Sequence, residues 1–92
     1  MDSELRKLDN GLYSYEIFEA DQNYIFTLAD ILEKQHSFRM ISAPMVGLDG
    51  IYWEMSRGNI KLTVGWDIWS GAFIMANCLN GNKYIELFAH RK

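Results

Sequence analysis

One stretch in the middle of the chain constrains the fold more than any other, because residues 51–66 have the pattern of two strands joined by a tight turn. Gly58-Asn59 stands between the two runs, and a two-residue turn of this composition suits the twist of antiparallel strands. With this turn, three apolar pairs share one face: Met55 with Leu62, Trp53 with Val64, and Ile51 with Trp66. The other face pairs Ser56 with Lys61, Glu54 with Thr63, and Tyr52 with Gly65. A shift by one residue would mix the two faces, so the sequence predicts the register as well as the strands. We expect Tyr52 to cover the gap above Gly65.

The C-terminal third predicts a further strand and then an ambiguous segment. Residues 72–78 are apolar at most positions, as in a central strand covered on both faces. Asn80-Gly81 is a strong short cue for a hairpin. Residues 84–89 are therefore predicted to return as a strand. The alternative is a short helix with one shared face, formed by Tyr84, Leu87, Phe88 and Arg91.

Upstream of the hairpin, residues 21–35 have the pattern of a helix. Asp21 is expected to cap its first turn. Helical spacing places a mainly apolar stripe on one side, suited to covering a sheet: Tyr24, Leu28, Ile31, Leu32 and Gln35. Residues 38–41 then resemble a strand. Pro44 and the stretch 47–50 connect it to the hairpin.

The first twenty residues allow three interpretations. Asn10-Gly11 can turn a hairpin between residues 5–9 and 12–18. Alternatively, residues 3–9 form a short helix and Gly11 takes the left-handed position beyond its end. The third interpretation is one longer helix, which Gly11 weakens by about 1 kcal/mol relative to alanine.

Together these elements predict an α+β fold, an antiparallel sheet of four or five strands with one long helix packed on one face. The 92 residues are 49% apolar and 23% charged, a composition that suits one folded domain over residues 1–92. Residues 1–10 carry the weakest signal for order.

Charge is distributed unevenly along the chain. Residues 8–33 contain six acidic side chains and no Lys, Arg or His, whereas the whole chain has a net charge of −3. Such a segment can present a negative face to a basic partner, and Tyr15 lies in it as a candidate anchor. The alternative is a solvated acidic surface whose tyrosines belong to the core. The acidic balance argues against nucleic-acid binding, even though the strands are rich in aromatic residues.

A second candidate surface is the short loop bracketed by Gly65 and Gly71. Asp67 is expected to cap the turn through the amides that follow it, with direct binding as the alternative. Trp69 is either tucked back or offered to a partner.

Catalytic and metal chemistry find little support in the side chains present. Ser70 lacks the Gly-x-Ser-x-Gly setting, and His36 and His90 are the only bases for a nucleophile. Cys78 and the two histidines have no zinc-ligand spacing. We therefore expect no enzyme, no cofactor and no metal.

A single cysteine favours a reducing cytoplasm. The acidic N-terminus predicts no signal peptide, and no apolar run reaches the roughly 20 residues of a membrane span.

The part of the chain from residue 38 to residue 87 carries a family resemblance. The run Lys61-Leu62-Thr63-Val64-Gly65-Trp66-Asp67-Ile68-Trp69-Ser70-Gly71, with a helix upstream and the apolar strand 73–76 downstream, resembles small immunity proteins of bacterial polymorphic toxin and contact-dependent growth-inhibition systems. The resemblance implies a cytoplasmic, non-catalytic protein that binds and neutralises a cognate toxin domain, often a nuclease.

The acidic segment is compatible with that function, because a nuclease needs a basic cleft to attract phosphates. The sequence predicts that the protein covers such a cleft, with candidate partner-binding residues in both surfaces: Tyr15, Glu16, Glu19, Asp21, Asp67 and Trp69. The competing hypothesis is a small structural or regulatory subunit that self-associates as a homodimer through its edge strands.

Overall fold

Seven β-strands and two α-helices make up residues 3–90, the part of the chain that the computed structural model describes. The strands are β1 (Ser3–Lys7), β2 (Tyr13–Ile17), β3 (Arg39–Met40), β4 (Met45–Val46), β5 (Gly50–Arg57), β6 (Ile60–Asp67) and β7 (Gly71–Ala76), and the helices are α1 (Tyr24–His36) and α2 (Leu79–His90). The α+β prediction is confirmed. The expected four or five strands are too few, and the structure has two helices instead of the one that was predicted.

The strands form one antiparallel sheet in the order β1-β2-β7-β6-β5-β3, with β4 also paired to β5. The predicted central hairpin is confirmed in its register: Met55 lies opposite Leu62, Trp53 opposite Val64, and Ile51 opposite Trp66. The pattern of alternating apolar residues was sufficient here, because only one register keeps all six of these side chains on the same face.

One face of the sheet is the core face, and both helices contact it. The ring of Phe26 in α1 lies 5.8 Å from that of Trp53, and the ring of Phe88 in α2 lies 5.8 Å from that of Tyr15. The buried strand residues on this face include Tyr15, Ile17, Trp53, Met55, Leu62, Val64, Ala72, Ile74 and Ala76. Neither helix covers the other face, which we call the open face. The prediction that β7 is covered on both sides is therefore wrong, and Phe73 and Met75 are half-buried on the open face.

Helix α1 begins later than predicted and without the predicted cap. Asn23 occupies the capping position and no side chain caps the helix. Asp21 contributes only its backbone carbonyl, which accepts a hydrogen bond of 3.0 Å from the Tyr24 amide. The helix buries Ile25, Leu28 and Leu32 against the sheet, so two positions of the predicted apolar stripe belong to its innermost contacts.

The predicted strand at residues 84–89 is wrong, since these residues belong to α2, and Asn80-Gly81 lies in its first turn. Gly81 lets the helix approach the sheet closely, because a Cβ atom there would stand 3.0 Å from the Cβ of Ala76. Asn82 joins the helix to the first hairpin: it accepts from the Tyr13 amide at 2.8 Å and donates to the Gly11 carbonyl at 2.9 Å. Arg91, placed on the same helical face by the sequence, lies outside the described residues.

The N-terminal residues adopt the hairpin interpretation rather than either helical one. Strands β1 and β2 pair over five positions, and Gly11 turns the chain with a φ of 84°. The part of the prediction for residues 1–10 that concerns Met1 and Asp2 lies outside the described residues. The strand predicted at 38–41 is reduced to two residues. The Phe38 amide donates to the Leu32 carbonyl of α1 at 3.0 Å and is therefore not part of the sheet.

Candidate functional site

Three connecting segments meet at one end of the sheet. The connection from β2 to α1, the turn from β4 to β5 and the turn from β6 to β7 all lie there, because Ile17 pairs with Ala72 and Gly50 pairs with Asp67. We call this the acidic end, and define it by seven residues: Glu19, Asp21, Leu48, Asp49, Asp67, Ile68 and Trp69.

A side chain of the sheet fastens the first of these segments. The indole Nε1 of Trp66 donates a hydrogen bond of 2.8 Å to the carbonyl of Ala20, so this connection is held against β6. Glu19 has a φ of 68°, which turns the chain away from β2. The side chains of Glu19 and Asp21 on either side of Ala20 are exposed.

The turn from β6 to β7 is built by its own aspartate. Oδ1 of Asp67 accepts from the amides of Trp69 at 3.0 Å and Ser70 at 2.6 Å, which confirms the predicted capping role. The turn then exposes two large apolar side chains, with Ile68 at 59% and Trp69 at 72% of their full accessible surface. Trp69 is therefore offered to solvent rather than tucked back.

The β4–β5 turn adds residues that the sequence did not identify as functional. It closes through a bond of 2.9 Å from the Gly47 amide to the Gly50 carbonyl, and its tip exposes Leu48 completely. The amide of Ile68 donates to the Asp49 carbonyl at 3.0 Å, which joins this turn to the next one. A large apolar residue between two glycines was the available signal, but the sequence assigned this stretch only a connecting role.

Charge is separated between the two ends of the sheet. The segments 17–23, 47–51 and 66–72 hold four acidic residues and no Lys, Arg or His. At the opposite end, the exposed Asp9 of the β1–β2 turn is outnumbered by basic side chains at strand termini and paired positions: Lys7, Arg39, Arg57 and Lys61. Lone carboxylates on one surface repel one another, so this arrangement favours contact with a positively charged partner.

Two predicted partner-binding residues lie inside the protein. Tyr15 is 2% exposed and belongs to the core, and Glu16 is 5% exposed. Arg6 holds the Glu16 carboxylate, with Nη1 3.1 Å from Oε1, and the Ser14 hydroxyl donates to Oε2 at 3.3 Å. Neither side chain is available to a partner. The structure instead brings Glu19, Asp21, Asp67 and Trp69, from the two surfaces predicted separately, to the same end of the sheet.

The open face next to the acidic end carries an aromatic row. Tyr52, Gly65 and Phe73 lie side by side across three strands. Phe73 rather than Tyr52 fills the space above Gly65, since a Cβ atom there would overlap the Phe73 ring. Between this row and the β4–β5 turn lies a cavity of about 270 Å³, with Asp49 and Asp67 among its lining residues.

The candidates for catalysis and metal binding are not brought together. His36 ends α1 beside Arg57, whose Nη1 donates to its carbonyl at 2.9 Å, whereas Ser70 lies at the acidic end. Within residues 3–90, no group of three or more His, Cys, Asp or Glu side chains is placed to hold a metal ion. No helix in this part of the chain is both long and apolar enough to span a membrane.

Comparisons of the chain with protein-family models, with curated proteins and with solved structures found no match.

Proposed function

We propose that this protein is a non-catalytic, cytoplasmic binding protein that neutralises a cognate toxin by covering the toxin's basic active site with its acidic end. One observation carries the proposal: three turns converge to present four carboxylates around Leu48, Ile68 and Trp69, in segments without a basic residue. The resemblance of residues 61–71 to toxin immunity proteins supports the same conclusion.

The two kinds of side chain have different tasks in such a complex. Carboxylates steer a positively charged partner toward the acidic end and accelerate association, most strongly at low ionic strength. Large apolar side chains that are exposed in the free protein become buried when a partner binds, and this slows dissociation. Tryptophan is prominent among such anchors. Trp69 and its neighbour Ile68 stand on a turn that Asp67 fixes by two hydrogen bonds, so less ordering is needed when a partner binds.

The protein then inhibits the toxin by occupying the toxin's active site with its acidic end. A nuclease binds phosphates with basic side chains, and the carboxylates of the acidic end occupy the same positive field. The sheet behind the turns excludes the nucleic acid by its bulk. No bond is made or broken by the inhibitor.

The test uses the tagged 92-residue chain to recover its partner from the native cytoplasm at low and high salt. The recovered partner is identified, and its toxic activity is assayed with and without the protein. A triple variant, Glu19→Lys, Asp21→Lys and Asp49→Lys, should slow association by at least tenfold at low salt and abolish protection. Glu16 is left unchanged because it is buried and paired with Arg6.

The matched control reverses three exposed acidic residues elsewhere, Asp9→Lys, Glu33→Lys and Glu86→Lys. Both variants change the net charge from −3 to +3, so a difference between them reports position rather than total charge. Equal association rates for the two variants would exclude the acidic end as the contact surface. A partner whose activity continues at full rate in the complex would exclude neutralisation.

Self-association is the second candidate function, and the edge formed by β3 and β4 favours it. Four large apolar side chains on this edge are exposed, namely Met40, Ile41, Met45 and Val46. A second copy could cover them by pairing edge to edge about a two-fold axis. Sedimentation velocity distinguishes the candidates. An obligate dimer that Val46→Lys converts to a monomer supports the subunit, and a monomer at all concentrations excludes it.

A further inference from the structure

The cavity beside the acidic end is lined by the aromatic residues Tyr52 and Phe73 and by residues of the β4–β5 turn. Tyr52 and Phe73 flank Gly65 on the open face, and the Phe73 ring extends over the glycine. The next row toward the end of the sheet is Gly50, Asp67 and Gly71. The two residues that pair directly with Asp67 are therefore both glycines, which have no side chain to cover its carboxylate.

Two carboxylates accompany these aromatic walls. Asp49, on the β4–β5 turn, and Asp67 both line the cavity. Neither takes part in an ion pair among residues 3–90. Oδ1 of Asp67 is used by the turn amides, and its Oδ2 accepts no hydrogen bond from the described residues. The cavity therefore combines unneutralised negative charge with the faces or edges of two aromatic rings.

That combination selects a cationic group with a flat shape. A cation is attracted to carboxylates and to an aromatic face, and a planar guanidinium can do both at once, since it stacks while its N–H groups point outward in the plane. A lysine ammonium is a more strongly hydrated point charge and cannot stack. The volume of about 270 Å³ lies below the roughly 300–1,000 Å³ of pockets for drug-sized ligands and suits a single side chain.

We propose that this cavity receives an arginine side chain of the protein partner, with Asp49 and Asp67 binding the guanidinium and Phe73 and Tyr52 enclosing it. The inference rests on the proposed function, because it names the group by which a basic partner is held at the acidic end. It also makes the open face, and not only the turns, part of the contact surface.

The experiment titrates the ¹⁵N-labelled 92-residue chain with Nα-acetyl-arginine amide, followed by NMR. Nα-acetyl-citrulline amide, which has nearly the same shape without the charge, and Nα-acetyl-lysine amide are the comparison probes. The expected result is saturable shifts at the amides of Gly50, Gly65 and Asp67, with a Kd on the order of 1 mM. The citrulline probe should bind at least about tenfold more weakly, and the lysine probe should fall between the two.

Variants separate the cavity from the acidic end in general. Asp49→Asn with Asp67→Asn removes both charges while leaving an amide oxygen at residue 67 to accept from the turn amides, and should weaken arginine binding at least tenfold. Glu19→Gln with Asp21→Asn makes the same change in charge outside the cavity and should leave the Kd within twofold. Equal weakening by both double variants, or equal binding of citrulline, would overturn the proposal.

The outcomes also separate this inference from the proposed function. If the arginine probe fails to bind but the partner complex is still weakened by the charge reversal, only the cavity proposal is excluded. An arginine probe that binds as expected, together with a partner complex indifferent to the reversal, removes the proposed function and leaves the arginine site.

Discussion

Arg6 and Glu16 form an ion pair across the first hairpin, with Nη1 of the arginine 3.1 Å from Oε1 of the glutamate. The Glu16 side chain is 6% exposed and that of Arg6 is 50% exposed. A carboxylate withdrawn from water needs charged or hydrogen-bonding partners, and here Arg6 and Ser14 supply them.

The first prediction follows from that pair. Arg6→Ala should lower the free energy of unfolding by about 1–3 kcal/mol, because it leaves a buried carboxylate without its cation. Adding Glu16→Gln to Arg6→Ala should recover part of the loss. Lys7→Ala, on the same strand, should change stability by less than about 0.5 kcal/mol. Urea denaturation measures all three variants, and equal values for Arg6→Ala and Lys7→Ala would contradict the assignment.

The second prediction concerns the bond from Trp66 to Ala20. Trp66→Phe keeps an aromatic ring but removes the Nε1 donor that holds the β2–α1 connection at 2.8 Å. We expect a loss of about 1 kcal/mol and faster hydrogen exchange at residues 19–23 than in the unaltered protein. Trp69→Phe, at an exposed position, is the control and should leave both measurements unchanged. Slow exchange at residues 19–23 in Trp66→Phe would show that other contacts hold the connection.

The third prediction compares two glycines with similar backbone conformations. Gly58 has a φ of 59°, and a Cβ atom at this position would have no other atom within 4 Å. Gly71 has a φ of 70°, and a Cβ atom there would overlap the Ile17 carbonyl oxygen. Gly58→Ala should therefore cost about 1–2 kcal/mol, the penalty of the left-handed conformation alone. Gly71→Ala should cost about 3 kcal/mol or more, because backbone must also move. Thermal or chemical denaturation gives both values, and equal losses would argue against close packing of β2 on the β6–β7 turn.

The fourth prediction concerns the single thiol. Hydrogen bonding from the Lys61 backbone is the largest effect on the pKa of Cys78 and lowers it. Burial, the second-largest effect, raises this pKa, and the backbones of Gly81 and Asn80 lower it further, so that the net shift is downward. The rate of alkylation by iodoacetamide should therefore reach half its maximum at a lower pH in the folded protein than in urea. Coincident pH profiles in the two states would contradict this.

The lowered pKa of Cys78 also makes the stability of the fold depend on pH. A thiol whose pKa is lower in the folded state releases its proton first there, so Cys78 stabilises the fold above the ordinary thiol pKa. This contribution is lost as the pH falls through the folded-state pKa. Cys78→Ser should flatten the rise in stability at alkaline pH, as measured by urea denaturation at several pH values.

Local patterns in the sequence correctly predicted much of the secondary structure. The register of β5 and β6 follows from alternating apolar residues around Gly58-Asn59, since a shift by one position would move the three apolar side chains of one strand to the opposite face. The body of α1 follows from 3.6-residue periodicity. The start of α1 did not, because Asp21 uses its backbone rather than its side chain.

The C-terminal helix shows where local reasoning failed. Asn80-Gly81 is a strong turn signal by itself, yet Gly81 serves for close contact with Ala76 and Leu62. Asn82 bonds to the first hairpin, some seventy residues away in sequence. These contacts belong to the assembled fold, and they outweigh a preference of about 1 kcal/mol.

The sequence by itself determined the α+β class, the central hairpin and the acidic character of residues 8–33, because each depends on neighbours along the chain. Only the tertiary structure decided which of those acidic residues are buried and which are exposed together at one end of the sheet. It buried Glu16 beside Arg6 and placed Glu19 and Asp21 at the same end of the sheet as Asp67 and Trp69. Asp49 and Phe73 joined that end for the same reason: strand order and register place residues together that the chain keeps far apart, and no local pattern encodes that pairing.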